Sequence, residues 1–372
     1  MTLEDFFKKY VYPVAVMAGG IIGVGFFSLP YVASKVGIWL MLFYFLLLLS
    51  VVLVIHLIFA EISLRTPDFK RFPGFAKHYL GKKGELVAML SIILGTYGVL
   101  LAYLIAGSGF LKSMAQPFFG GGDFLYILIF SFAASAVIWF DVKIISRLEF
   151  WILSFLFLSV FFVFLASIGH INFFNLAASD LNLKNIFLPY GAILFSLWGV
   201  SLIPESEEMT RPRKKFFKNI VVLSTLIPAI FYLIFTFLIL SITGAQTTES
   251  AFDGLAAFLG NKILLVCMLA GLLTTVAAFI SQGMTLRKVF MYDLKIKKFP
   301  AFIMTCTVPL ILFLAGFNSF ISVVSLIGGV LIGIDGILIL LMYKKIGGKA
   351  YLIYPLLSIF ILGIIYEIYY FI

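Results

Sequence analysis

The stretch MAGGIIGVGFFSLPYVASKVG, Met17–Gly37, is apolar enough to enter a membrane, yet it places four glycines within seven residues, from Gly19 to Gly25. Each glycine costs about 1 kcal/mol relative to alanine inside a helix, so a continuous spanning helix would be poorly built from them. We therefore predict a helix that is interrupted at Gly19–Gly25. The alternative is close helix packing, because Gly19 and Gly23 have the spacing of a small-xxx-small contact.

The composition is typical of a membrane protein. Of the 372 residues, 63% are hydrophobic and only 12% are charged, and long uncharged runs are typical of bilayer-spanning helices. The first ten residues, MTLEDFFKKY, contain acids and no separate apolar core, so we expect no cleavable signal peptide. The two cysteines and three histidines lie far apart, and no catalytic or nucleotide-binding motif occurs. We therefore expect neither an enzyme nor a cofactor.

Windows of about 20 apolar residues predict eleven membrane spans. They run over residues 10–35, 38–62, 85–111, 124–141, 149–169, 187–204, 219–243, 262–287, 299–315, 319–342 and 350–371. An odd number of spans puts the two termini on opposite sides of the membrane.

The basic residues predict the orientation of these spans. With the N-terminus inside and the C-terminus outside, 23 of the 27 Lys and Arg residues fall on the cytoplasmic side, as the positive-inside rule requires. The net charge of +10 is therefore interpreted as a topology signal. It does not indicate a surface for nucleic acid, and we expect no nucleic-acid partner.

A second apolar span carries a weaker interruption. The stretch LPYGAILFSLWGVSLIPESEE, Leu188–Glu208, predicts a break at Ser196–Ser201, with Gly199 inside it and Pro204 behind it. An unwound backbone persists in a membrane only where it lines a cavity, because its N–H and C=O groups need partners. The half-helix after each break presents free N–H groups, which suit a carboxylate. The half-helix before it presents free carbonyls, which suit an ammonium group or a cation.

The two interrupted spans occupy corresponding places in the chain. Each is the first of five spans, in residues 1–170 and 187–345, and paired interruptions are typical of secondary transporters with an inverted repeat. We therefore predict an all-α polytopic protein with one transmembrane domain over 1–372, made of these two repeats and an additional helix at 349–372. No acidic residue lies in the first break, so we expect a substrate with its own carboxylate, such as a neutral amino acid.

Several stretches resemble landmarks of one transporter family, in order and over nearly the whole chain. They are GGIIGVGFFSLPYVASKVG (Gly19–Gly37), EISLRTP (Glu61–Pro67), AYLIAGSG (Ala102–Gly109), PYGAILFSLWGVSLIPE (Pro189–Glu205), LRKVFMYDL (Leu286–Leu294) and GGVLIGIDGILILLMYKK (Gly328–Lys345). The family is the amino acid/auxin permease branch of the amino acid–polyamine–organocation superfamily, and the aromatic and hydroxy amino acid permeases are the most similar type. The resemblance implies the five-plus-five inverted-repeat fold of the bacterial leucine transporter, with an eleventh helix appended. It also implies cation-driven uptake of amino acids.

The resemblance further implies the site residues. The substrate would lie between the two breaks and contact Gly20, Ile21, Gly23, Gly25, Phe195, Ser196, Trp198 and Gly199. One more contact would come from Tyr97 or Tyr103. A sodium ion would be held at Gly19, Ile22, Thr274 and Thr275, and Ala270 in the same stretch as the threonines is a further cation-coupling residue. Leu273 stands where sodium-coupled relatives often carry a hydroxyl, so both H⁺ and Na⁺ stay open as the coupling ion.

Ionisable residues inside the spans are the remaining candidates, because such groups are functional by default. Asp335, in the middle of IGIDGIL, is the candidate for coupling to H⁺ by binding a proton, and the alternative is a structural pair. His56 is interpreted as a hydrogen-bonded packing residue rather than a proton relay. Glu367 lies in a tyrosine-rich run and is expected at the membrane interface.

The sequence therefore predicts a secondary active transporter in the cell membrane of a prokaryote. It would import amino acids, neutral or aromatic, by alternating access coupled to H⁺ or Na⁺. An uncoupled amino acid exchanger and a non-transporting sensor or channel remain as alternatives. Beyond the amino acid and the lipid bilayer, we expect no obligatory protein partner.

Overall fold

The computed structural model describes residues 10–67, 70–140, 145–177, 185–210 and 216–371, and this part of the chain is helical. It contains fourteen α-helices: α1 (Tyr12–Ile21), α2 (Ser28–Val36), α3 (Ile38–Arg65), α4 (Phe72–Phe119), α5 (Asp123–Phe140), α6 (Ile145–Ser167), α7 (Leu188–Leu197), α8 (Ile203–Thr210), α9 (Phe217–Thr243), α10 (Asn261–Lys288), α11 (Lys298–Leu314), α12 (Phe320–Leu326), α13 (Ile332–Lys345) and α14 (Ala350–Phe371). Some basic residues that predict the orientation lie outside the described residues, namely Lys8, Lys9, Lys143, Lys184, Arg211, Arg213, Lys214 and Lys215.

Most of these helices match the predicted spans. Within the described ranges, nine helical spans are long and apolar enough to cross a membrane, or ten when the bent pair α1–α2 counts as one span. The helix α11 is apolar but has only 17 residues, and it corresponds to the span predicted at 299–315. The prediction of an all-helical, multi-pass membrane protein is confirmed. The total of eleven spans stays a prediction, because it requires counting both α11 and the bent pair.

Both predicted helix interruptions are present. The helix α1 ends at Ile21, and the chain continues into α2 at an angle of 53° after a 3₁₀ turn at Gly25–Phe27. The helix α7 ends at Leu197, and a 3₁₀ turn at Val200–Leu202 leads into α8. Between them, Trp198 has an extended backbone with φ −74° and ψ 122°. The four glycines of the first span, and Gly199 with Pro204 in the second, therefore predicted where the two helices unwind.

The start of α2 is anchored by two adjacent phenylalanines. Phe26 and Phe27 are completely buried. The Phe26 ring packs against Phe235 of α9 with the centroids 4.9 Å apart, and the Phe27 centroid lies 5.2 Å from those of both Phe110 and Phe252. Such edge-on pairs contribute about 0.5–1.5 kcal/mol each beyond their buried area. The chain thus regains tight packing directly after the first break.

Glu367, which is expected at the membrane interface, is enclosed by protein instead of facing outward, and its depth in the membrane stays a prediction. Its side chain on α14 is 1% exposed, whereas Tyr369, two residues later on the opposite side of the helix, is 82% exposed. The inward position is possible because Gly191 of α7 and Gly329 lie directly against the Glu367 side chain. The neighbouring tyrosines indicate an interface, but they do not indicate which face of the helix the carboxyl group occupies.

We expect Gly107→Ala to destabilise the contact among α4, α5 and α10. A Cβ at Gly107 would lie 2.6 Å from Cζ of Phe130 and 2.9 Å from Cγ2 of Thr275, and both of these neighbours are buried. Overpacking of this kind costs about 1–3 kcal/mol, so the midpoint of thermal unfolding in detergent should fall. Gly109→Ala is the matched control, because nothing lies within 4 Å of its Cβ position. Equal midpoints for the two variants would contradict this packing.

Candidate functional site

One buried hydroxyl joins the two helix breaks. The Oη atom of Tyr232, on α9, lies 2.9 Å from the carbonyl oxygen of Ile21 and 3.2 Å from that of Ser196. The side chain is completely buried, and its single proton can be donated to one carbonyl at a time. These carbonyls belong to the last turns of α1 and α7, where intrahelical partners run out. The Tyr232 hydroxyl therefore holds the C-terminal ends of α1 and α7 side by side.

Glycines let the backbones of the two breaks approach closely. A Cβ at Gly25 would lie 2.7 Å from both Cδ1 of Phe195 and Oγ of Ser196, at the end of α7. A Cβ at Gly23 would lie 2.9 Å from the hydroxyl oxygen of Tyr103, on α4. The structure thus brings five of the predicted substrate residues together, from three separate helical segments.

A histidine satisfies the backbone of the second break. The N–H of Gly199 donates to Nε2 of His56, on α3, over 3.1 Å. The other ring nitrogen, Nδ1, lies 2.9 Å from Oγ1 of Thr225, which itself donates to the carbonyl of Val221. Because Nε2 accepts a hydrogen bond, the proton of this neutral imidazole sits on Nδ1 and is donated to Thr225. The buried His56 side chain is therefore fully hydrogen-bonded within α3, α9 and the second break.

Two further glycines, Gly199 and Gly20, also pack against the opposite break. A Cβ at Gly199 would lie 2.6 Å from Cγ1 of Ile21, so the two breaks touch directly. A Cβ at Gly20 would lie 2.7 Å from Cδ1 of Leu202, in the turn before α8. The half-buried Trp198 ring lies 5.9 Å from that of His56 and 6.5 Å from that of Phe360, on α14, between ring centroids.

The two candidate tyrosines of α4 have different surroundings. The Tyr97 hydroxyl donates to the carbonyl of Met304, on α11, over 3.1 Å, and its ring lies 6.2 Å from that of Phe290. It is not brought to the breaks. Tyr103, whose hydroxyl lies against Gly23, is the one that reaches them.

The described contacts do not bring the predicted cation residues of the first break together with those of α10. The hydroxyls of Thr274 and Thr275 donate to the carbonyls of Ala270 and Gly271 in their own helix, α10, over 2.8 and 2.6 Å. Gly19 instead faces α6, where Leu153 lies 3.3 Å from its Cβ position. The Ile22 N–H is used by the Ala18 carbonyl at the end of α1. A hydroxyl that donates a proton keeps its lone pairs, so both threonine oxygens retain the ability to accept or to coordinate.

Asp335 lies apart from the breaks, on α13. Its Oδ1 atom is buried and has no hydrogen-bond partner among the described residues. The polar neighbour of its carboxyl group is Ser91 of α4, whose hydroxyl donates to the carbonyl of Leu331 over 3.2 Å. The carboxyl group thus faces the contact between α4 and α13.

Sequence reasoning missed Tyr232 and Thr225 at this site. Both lie in the long apolar stretch of α9, and no local pattern separates them from tyrosines and threonines that face lipid. Their roles follow from the tertiary contacts of α9 with α1, α3 and α7. The interpretation of His56 as a hydrogen-bonded packing residue is correct, but its partner at Gly199 was not predicted.

Residues 7–351 match the model of the tryptophan/tyrosine permease family. One relative is the tyrosine-specific transport system 1 of Haemophilus influenzae, 25% identical over 193 residues, which are 52% of this chain and 47% of that protein. Another is the tryptophan-specific transport protein of Shigella flexneri, 27% identical over 276 residues, which are 70% of this chain and 64% of that protein. The chain thus spans between about half and two thirds of the length of these relatives.

The fold is similar to that of a solved transporter. Mhp1, a nucleobase-cation-symport-1 family transporter in a closed conformation with bromovinylhydantoin bound, superposes with a TM-score of 0.67 and 13% identity. The match covers 96% of this chain and 90% of that one. At this identity the likeness shows the fold alone, which is of the leucine transporter type. The chain is a multi-pass cell-membrane protein of the permease kind rather than an enzyme, and it belongs to the tryptophan/tyrosine permease family.

Proposed function

We propose that this protein is a secondary active transporter that imports amino acids by alternating access. The observation that carries the proposal is the meeting of two interrupted helices, whose ends are held together by the Tyr232 hydroxyl. Interrupted helices that meet in this way offer both polarities of helix end to one ligand. An amino acid carries an ammonium group and a carboxylate, so it matches both ends at once.

The substrate site lies between the breaks. Carbonyl groups at the ends of α1 and α7 would accept hydrogen bonds from the ammonium group. The N–H groups of the turns that lead into α2 and α8 would face the carboxylate. The residues assigned to the substrate are Gly20, Ile21, Gly23, Gly25, Tyr103, Phe195, Ser196, Trp198 and Gly199. Tyr97 is left out of this set because its hydroxyl donates to α11, whereas Trp198, whose backbone forms part of the second break, stays in it.

We further propose an aromatic or other neutral side chain on the substrate. Two relatives are named for tyrosine and tryptophan transport, which supports an aromatic ligand. No carboxylate lies between Gly19 and Gly25, so a substrate that brings its own carboxylate is favoured over a bare amine. The half-buried Phe195 and the Tyr103 ring offer aromatic surface beside the breaks.

The proposed architecture has eleven spans, the N-terminus inside and the C-terminus outside. Two inverted five-helix repeats, 1–170 and 187–345, would be followed by an additional helix at 349–372. The position of one interrupted helix at the start of each repeat supports this division, and the distribution of Lys and Arg supports the orientation. Alternating access would then be a rocking of one helix bundle against the rest.

The coupling ion is H⁺ or Na⁺ in this proposal. A sodium ion would use oxygens at Gly19, Ile22, Thr274 and Thr275, whereas a proton would use a buried carboxyl group. An uncoupled exchanger is the second candidate, since the same breaks serve exchange equally well.

His56 is proposed as a positioning residue for the second break. Its ring fixes the Gly199 N–H to α3 and α9, so the break keeps one conformation when no substrate is bound. This role predicts that substrate affinity depends on a side chain that itself does not touch the substrate.

We expect the purified protein in liposomes to accumulate labelled tyrosine, tryptophan or phenylalanine against a gradient. Inward H⁺ and Na⁺ gradients are imposed separately, and uptake should saturate with substrate concentration. Exchange of internal for external label without accumulation would indicate the uncoupled exchanger. Binding without uptake would indicate a sensor, and uptake that does not saturate would indicate a channel.

We expect Gly23→Leu to abolish substrate binding and uptake, because its side chain would occupy the space between the first break and the Tyr103 hydroxyl. Gly109→Leu is the matched control on α4, where the Cβ position faces open space, and it should transport normally. Binding is measured by equilibrium titration with labelled tyrosine on protein that elutes as a single folded species. Normal uptake by Gly23→Leu would contradict a site at this break.

We expect His56→Phe to weaken substrate binding, because it keeps a ring but leaves the buried Gly199 N–H without an acceptor. A lost partner of this kind costs about 1–3 kcal/mol. The dissociation constant and the unfolding midpoint are measured together with those of His78→Phe, at an exposed histidine, which should resemble the wild type. Wild-type affinity in His56→Phe would refute the positioning role.

A further inference from the structure

An acidic side chain of the last helix is enclosed by protein. Glu367, on α14, is buried, and its Oε1 atom has no hydrogen-bond partner among the described residues. An ionised carboxylate without a partner is among the most costly groups to bury, so such a group is neutralised instead. The proposed substrate site does not use this residue.

Glycines form the walls of the slot that holds the carboxyl group. A Cβ at Gly329 would overlap the Glu367 side chain and lie 2.9 Å from Oε1. A Cβ at Gly191, on α7, would lie 2.8 Å from the same oxygen. Gly329 belongs to a π-helical turn, Ile327–Leu331, between α12 and α13, and π-helical turns frequently occur at functional sites.

A second polar side chain without a partner lies at the same slot. The Oγ atom of Ser325, at the end of α12, is buried and has no hydrogen-bond partner among the described residues. The backbone of Ser325 touches Gly191, with its Cα 2.7 Å from the glycine's Cβ position and its carbonyl oxygen closer still. Ser325 and Glu367 thus both pack against Gly191, and each carries a buried oxygen without a partner among the described residues.

Few titratable groups face this slot. From α7 comes Tyr190, whose hydroxyl donates to the Ile359 carbonyl over 3.3 Å, and from α14 itself comes Tyr366, whose ring lies 4.7 Å from that of Phe187. The π-helical turn contributes none, and Asp335 of α13 has Ser91 of α4 as its polar neighbour. Within the described residues, no ion pair involves Glu367.

We propose that Glu367 carries the coupling proton of this transporter. The inference rests on the proposed function and names the ion and the group that binds it. The carboxyl group is protonated while α7, α12 and α14 are packed together, because its Oε1 atom has no partner there that would stabilise a negative charge. When α7 moves away and water enters, the O–H bond breaks, the proton passes to water and a solvated carboxylate remains.

Substrate binding and proton release are coupled because α7 takes part in both sites. Gly191, at the slot, and Ser196, at the break, lie five residues apart on α7, or about 7.5 Å along the helix axis. A movement of α7 that accompanies substrate binding at Ser196 therefore also opens or closes the slot. Asp335, on α13, is the natural comparison. Its carboxyl group is also partly buried, but it faces α4 and not α7.

The test compares Glu367→Gln with Asp335→Asn in liposomes. Two readouts are taken with labelled tyrosine: exchange of internal for external tyrosine, and accumulation driven by an inward H⁺ gradient, with a pH-sensitive dye following proton entry. We expect Glu367→Gln to keep exchange but to lose H⁺-driven accumulation and substrate-dependent proton entry. Asp335→Asn should keep all three.

The outcomes separate this inference from the function on which it rests. Retained proton coupling in Glu367→Gln, or loss of coupling in both variants, would overturn the assignment to Glu367. Accumulation by the wild type with Na⁺ alone would overturn it as well, while leaving amino acid transport intact. Neither exchange nor accumulation by the wild type with any aromatic amino acid would refute the proposed function itself.

A second measurement covers the case in which Glu367→Gln fails to fold. A hydrophobic carbodiimide reacts with protonated carboxyl groups in apolar surroundings, and mass spectrometry locates the adduct on the wild-type protein. We expect modification of Glu367 that declines as the pH is raised. Absence of an adduct at Glu367, with modification of other buried acids, would overturn the proposal.

Discussion

Two stretches of unwound backbone lie inside an apolar protein, and their polar groups must find partners there. The continuous helices α3 and α9 supply those partners through His56 and Tyr232. Because each partner is itself buried and held by packing, the position of both breaks depends on how α3 and α9 sit against the broken helices. The interrupted helices are thus supported by uninterrupted ones.

The glycines at the first break serve two physical purposes. They lower the stability of a continuous helix, and they let the end of α7 and the Tyr103 hydroxyl approach the backbone closely. A side chain at Gly25 would separate the two breaks, and one at Gly23 would separate the first break from Tyr103, even if the helix still unwound. The same close approach brings the ends of α1 and α7 next to each other, where both would face the proposed substrate.

The half-helix α7 links the proposed substrate site to the buried carboxyl group. One of its ends takes part in the breaks through Ser196, and its middle forms a wall of the Glu367 slot through Gly191. A rigid element that contacts two sites passes a displacement from one to the other without an intermediate pathway. In the proposed architecture the helix α14 lies outside the two repeats, and this contact would give it a role in the proposed transport cycle.

The sequence by itself determined the membrane character, the approximate positions of the helices and the places of both interruptions. Hydropathy and glycine content can be read from short stretches of the chain, without knowledge of tertiary contacts. Local signals also predict that the residues of the breaks contact the substrate. Only the tertiary structure decided that Tyr103 and not Tyr97 reaches the first break, that Tyr232 and His56 satisfy the backbone, and that Glu367 is turned inward. These outcomes depend on the rotation of each helix about its axis, and that rotation is set by contacts between residues more than a hundred positions apart, such as Gly191 and Glu367.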